Sequence, residues 1–136
     1  MFFVAEAIKT RLAALPELAG WQIGTDAEDL PRDTAPALYV RLESGGIKGA
    51  SSRAVRVSPQ WGVYLVVRRG ATATAVLDTA FQAALCALID FPPGKNAGLA
   101  WERLTPTSIP APEFTETGLV AYGFHLETAA TYHAAD

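Results

Sequence analysis

From Ala37 to Arg68 apolar side chains recur at every second position over two long stretches, separated only by a segment rich in glycine and serine. A period of two is the signature of strands with one buried face, so this quarter of the chain commits the fold to a sheet with a one-sided core. In Ala37-Leu38-Tyr39-Val40-Arg41-Leu42-Glu43, the side chains of Leu38, Val40 and Leu42 share one face and those of Tyr39, Arg41 and Glu43 the other. In the second stretch Val55, Val57, Val63, Leu65 and Val67 mark the inward positions, with Pro59 and Gly62 indicating an edge, a bulge or a bend. The segment between them, Ser44 to Ser52, holds three glycines and reads as a flexible loop.

Helical periodicity flanks this region. Val4, Ile8, Leu12 and Leu15 follow spacings of four, four and three, which makes an amphipathic opening helix that Pro16 stops. A short half-buried strand, Trp21-Gln22-Ile23, comes next, and then the proline- and acid-rich stretch Asp26 to Pro36, a surface loop. Ala71 to Phe91 forms the clearest helix, with Thr72 or Thr74 as cap, Leu77, Phe81, Leu85 and Leu88 on one stripe, and Pro92-Pro93-Gly94 at its end. Its second side is small and apolar at Ala80, Ala83, Cys86 and Ala87, the composition of a helix covered twice. Leu99 to Leu104 and Leu119 to Thr131 supply the last strands.

The expected order is therefore α-β-β-β-α-β-β in one domain spanning residues 1–136, without internal repeats. This is an α+β fold with a mostly antiparallel or mixed sheet of about five strands and two helices packed on one face. With 50% apolar and 18% charged residues, the chain has the material for a core. Its start is broken by Glu6, Lys9 and Arg11 and does not read as a signal peptide, and the apolar stretch from Ala80 to Ile89 falls short of the roughly 20 residues that span a bilayer.

Motifs for chemistry are missing. Cys86 sits mid-helix among alanines and leucines and reads as a small hydrophobe, and the two histidines, His125 and His133, lack ligand-spaced companions. No C-x-x-C pair or H-E-x-x-H helix offers zinc a site. At the acidic stretch, Leu30 and Pro31 stand where a calcium loop wants an oxygen ligand and a glycine. Gly49 follows Lys48 where a phosphate loop requires serine or threonine, and no serine sits in a G-x-S-x-G elbow. The expectation is a protein that is not an enzyme and has no catalytic, cofactor-binding or metal-binding residue.

Charge is patterned. The net value of −3 disfavours a coat for nucleic acid, yet Ser44 to Leu77 contains Lys48, Arg53, Arg56, Arg68 and Arg69 and no acidic residue. Asp26, Glu28, Asp29 and Asp33 form the opposite pole. A solvated face explains such a split, and so does electrostatic complementarity between copies.

The opening helix, the acid-rich stretch before Ala37-Leu38-Tyr39-Val40-Arg41-Leu42, the glycine/serine segment Gly45 to Ser52 and the later helix Val76 to Ile89 with its terminal hairpin together resemble the tail terminators of long-tailed bacteriophages. That resemblance implies a small subunit of the virion tail, made in the bacterial cytoplasm, that assembles as a hexameric ring on the tail tube. There it halts tube polymerisation and presents the surface that joins the head. Its implied partners are further copies of itself, the tail tube protein, head-tail connector proteins and, transiently, threading DNA, with no membrane. By the same resemblance Lys48, Arg53 and Arg56, chosen for their charge and loop context, are the tube- or channel-facing loop, and the small residues Ala80, Ala83 and Ala87 are the helix face between subunits. Two other readings stay open ahead of a third, an enzyme, for which His125 is the best available acid-base group. One is a different tail-completion or head-tail connector subunit; the other is a small-molecule or peptide-binding module lined by Trp61, Tyr64 and Trp101, for which ordinary core packing is the competing explanation.

Overall fold

The computed structural model describes residues 1–25 and 35–135. Helix α1 spans Phe2–Ala13 and buries Val4, Ala5, Ile8 and Leu12, the stripe its spacing predicts. A single 3-10 turn at Pro16–Leu18 leads into β1 (Gln22–Thr25), which runs parallel to the start of β2 (Ala37–Ala50). Strand β3 (Ala54–Arg68) returns antiparallel to β2, and α2 (Ala73–Leu88) follows it. After α2 come a two-stranded ribbon of β4 (Gly94–Asn96) and β5 (Leu99–Trp101), and then β6 (Thr105–Ser108), β7 (Glu113–Phe114), β8 (Leu119–Glu127) and β9 (Ala130–His133).

Seven of these strands make one mixed sheet in the order β1-β2-β3-β8-β6, with β7 added to β8 and β9 added to β3. The fold is α+β with two helices, as the periodicities imply, and the sheet is larger than the expected five strands because short pieces at its margins pair as well. β3 lies at the centre. Trp61, Val63, Leu65 and Val67 point from it to the helical side, where they meet Leu38 and Val40 of β2, Phe124 and Leu126 of β8, and the stripes of both helices in a single cluster. Burying side chains of this size stabilises the fold by about 1.5–3 kcal/mol each before entropy is set against it.

Two expectations need correction. The glycine- and serine-rich stretch is largely a strand, because β2 continues to Ala50 and stays paired with β3 as far as Ala50 opposite Val55. Composition argued for a loop; a partner strand of high β-propensity, Val55 to Val57, supplies the hydrogen bonds that override it. Irregularities between Leu42 and Ser44 and between Ile47 and Gly49 absorb the poor strand formers. The second correction concerns α2. Its deepest line is Leu77, Ala80, Ala84 and Leu88, while Phe81 and Leu85 are half-buried at its margin. The small residues bring α2 close to the sheet. Thr72 holds the N-cap position without a side-chain hydrogen bond.

Glycines permit the tight spacing in the sheet. A Cβ at Gly123, opposite Tyr64, would run into the Val63 carbonyl of β3, whereas one at Gly45 would meet nothing within 4 Å. Gly123→Ala is therefore expected to lower stability by at least about 2 kcal/mol in urea unfolding, as overpacked sites do, and Gly45→Ala to stay within about 0.5 kcal/mol of the parent.

Candidate functional site

Pairing leaves one part of the sheet projecting. Beyond Arg41, β2 has no described neighbour on its outer side, and its residues 43–50 are exposed. Together with β3 and with β9, which pairs Ala130–His133 against Ala54–Val57, they form a three-stranded arm. Ile47 stands on this arm 71% exposed. Side chains tie its base to the rest of the sheet.

They do so by charge. Lys48 Nζ lies 2.8 Å from Glu127 Oε1, and the buried Ser58 hydroxyl donates to the same carboxylate at 2.7 Å. Arg56 grips Glu102 with two parallel hydrogen bonds of 2.7 and 2.8 Å, the fork-to-fork geometry that gives an arginine–carboxylate pair its specificity. Hydrogen bonding from Arg56 holds the Glu102 carboxyl below the usual range, and that from Lys48, with Ser58, does the same for Glu127. Lys48 and Arg56, two of the three cations expected to face a tube or channel, are thus engaged within the chain. Arg53 occupies the tip.

Of the proposed subunit-contacting face, Ala80 is 2% exposed and belongs to this chain's own core, so it cannot meet a neighbour. Ala83 and Ala87 are half-buried, and Arg11 of α1 donates to the Ala87 carbonyl, so α1 occupies part of the second side that sequence left unassigned. The residues α2 does present are Thr74, Ala75, Val76, Asp78, Thr79, Gln82 and Cys86. Asp26, Glu28, Asp29 and Asp33 lie outside the described residues. Trp61 and Trp101 are buried in the core and Tyr64 projects from the opposite face, so these three aromatics do not line a common pocket. A cleft of about 500 Å³ lies elsewhere, between Arg69, Asp78, Phe114 and Tyr122.

The sheet face turned away from the helices carries a hydrogen-bonded row that no motif announces. The Tyr64 hydroxyl donates to Glu43 Oε1 at 2.6 Å and lies 3.0 Å from His125 Nε2; His125 Nδ1 lies 3.0 Å from the Ser108 hydroxyl. Burial, reinforced by the Glu43 hydrogen bond, pushes the Tyr64 phenol up, so its proton stays in place. Gly62 makes room: a Cβ there would fall 2.6 Å from both Glu43 Oε1 and the Tyr64 ring. The sequence marks Tyr64 and His125 separately and gives no sign that they meet, and the four residues come from four different strands.

No protein-family model matches this chain, and no curated protein does. Among solved structures, one chain described as "Virion of native gene transfer agent (GTA) particle" superposes with a TM-score of 0.70 at 14% identity, covering 93% of each chain. A second solved structure, with no function in its description, gives a TM-score of 0.57 at 17% identity over 98% of this chain and 96% of its own. At these identities the likeness is one of fold, and it extends from end to end.

The clamp at the base of the arm has a pH dependence of definite sign. Both glutamates titrate lower in the folded chain than the roughly 4.3 of an unpaired glutamate, so their contribution is complete above that value and is lost as pH falls through the lowered ones. Hydrogen exchange, corrected for intrinsic rates, should show arm amides in β2 and β9 losing protection on acidification before the α1 and β8 amides do. Glu102→Gln with Glu127→Gln should abolish that early step.

Proposed function

We propose that this chain is a structural subunit of a phage-type virion, which caps the tail tube as a hexameric ring, stops tube polymerisation and forms the surface that joins the head. The observation that carries the reading is the end-to-end likeness of fold to a chain of a gene transfer agent virion. The resemblance in element order to tail terminators points the same way. In this role the protein does no chemistry, needs no cofactor or metal, and resides in the virion after synthesis in the bacterial cytoplasm.

The described surface suits a subunit that must touch several partners. Exposed apolar residues sit on separate sides: Phe2 on α1, Val76 and Ile89 around α2, Phe114 on β7 and Ile47 on the arm. Such residues scattered singly are ordinary, but a projecting arm and a sheet face on which no described helix packs provide distinct patches for neighbouring copies, the tube protein and connector proteins. Head-to-tail contacts between unlike patches close into rings. A transient contact with threading DNA is assigned to the exposed Arg68 and Arg69.

The reading is tested by deletion and by reconstitution. Particles lacking this protein should carry tubes of uncontrolled length that fail to join heads, and complementation should restore a single length. Light scattering of the purified chain with short tail tubes should give a species adding about six times 14.4 kDa at a tube end. Uniform tubes in its absence, or a chain that stays monomeric and ignores tubes, would contradict the proposal.

A further inference from the structure

The row Glu43–Tyr64–His125–Ser108 has a direction. Because the Tyr64 proton is given to Glu43, the phenol oxygen can only accept from His125, which therefore carries its proton on Nε2. Nδ1 is then a lone pair, and the Ser108 hydroxyl 3.0 Å away donates to it. This is a nucleophile hydrogen-bonded to a base whose tautomer is fixed by a third group, the arrangement that activates serine hydroxyls. It is also built rather than incidental. The pairing of β6 with β8 shifts between Pro106 and Ser108, so that Ser108 instead of Thr107 stands opposite His125, and bulges commonly re-aim side chains in this way. Thr107 is held aside by the Gln60 amide at 2.9 Å.

Ser108 is exposed at the sheet margin, and there it also contributes to a groove of about 380 Å³ that extends onto the helical side, lined by Leu85, Pro106, Thr107, Ile109 and Phe124. The lining is mostly apolar and accommodates a short hydrocarbon chain. We infer that Ser108 is a nucleophile activated by His125 that accepts the acyl group of carboxylic esters bearing a short apolar acyl chain, an activity beyond the assembly role. Ser108 Oγ adds to the carbonyl carbon while its proton passes to His125 Nδ1. The adduct collapses by breaking the ester C–O bond, and the departing oxygen takes that proton. Water then adds to the acyl-serine by the same route, releasing the carboxylic acid and restoring the hydroxyl. Ser108 and His125 touch the reacting atoms; Tyr64 and Glu43 position His125.

The test uses the purified full chain without tubes, so its outcome is independent of the capping role. With p-nitrophenyl butyrate, intact mass should show one butyryl group per chain, mapped to Ser108, and a fluorophosphonate probe should label the same residue. Ser108→Ala should give no adduct, and His125→Gln should slow acylation by about 100-fold or more, the range of general-base catalysis, while both keep the parent circular dichroism. Tyr64→Phe should leave the fold intact and move the pH profile of labelling, since His125 Nε2 loses its acceptor; an unchanged profile would remove Tyr64 from the row. Absence of an adduct at Ser108, or equal labelling of wild type and Ser108→Ala, would overturn the inference.

Discussion

Strand β3 is the constraint on which the other elements depend. Its 15 residues pair with β2 along one side and with β8 and then β9 along the other, so both registers are set by one backbone. Its alternation separates two kinds of chemistry. Trp61, Val63, Leu65 and Val67 hold both helices to one face, while Arg56, Ser58, Gly62 and Tyr64 organise the arm clamp and the hydrogen-bonded row on the other. A one-residue slip would exchange the two faces, driving arginine and tyrosine into the core. A central strand with a large buried aromatic and a valine-rich row has little freedom to slip.

The parts of the fold legible in sequence are those where burial alone decides. The stripe of α1, the inward row of β2 from Leu38, the row of β3 and the end of α2 before Pro92-Pro93 all follow from periodicity and helix breakers. Illegible were the pieces whose structure is imposed by a distant partner. Gly45, Gly46 and Gly49 are strand residues because Val55 to Pro59 pair with them, and β9 is placed by the far end of β3. Alanine carries no sign of which side of a helix approaches a sheet, so sequence alone leaves Ala80 on the outer side; the packing of α2 against the sheet takes it inside.

The same limit applies to the candidate sites. Lys48, Arg53 and Arg56 form a basic run in sequence, but Glu102 and Glu127, far along the chain, neutralise Arg56 and Lys48 in space. Ser108 and His125 are separated by 17 positions, with no motif at either, and only the β6–β8 register and its bulge bring them together. What charge patterning could say was that this region carries polarity worth explaining. Where its partners lie is a property of the topology.

An arm fixed at its base, a sheet face on which no described helix packs and exposed apolar residues on separate sides make physical sense on a chain meant to be surrounded by others. Cryo-electron microscopy of complete particles at the junction of head and tail measures that most directly. The account predicts density of this fold as a six-fold ring on the last tube layer, with the arm and that sheet face in contact with other chains. Density of this fold distributed along the tube, or missing from the junction while the particles remain joined, would contradict it.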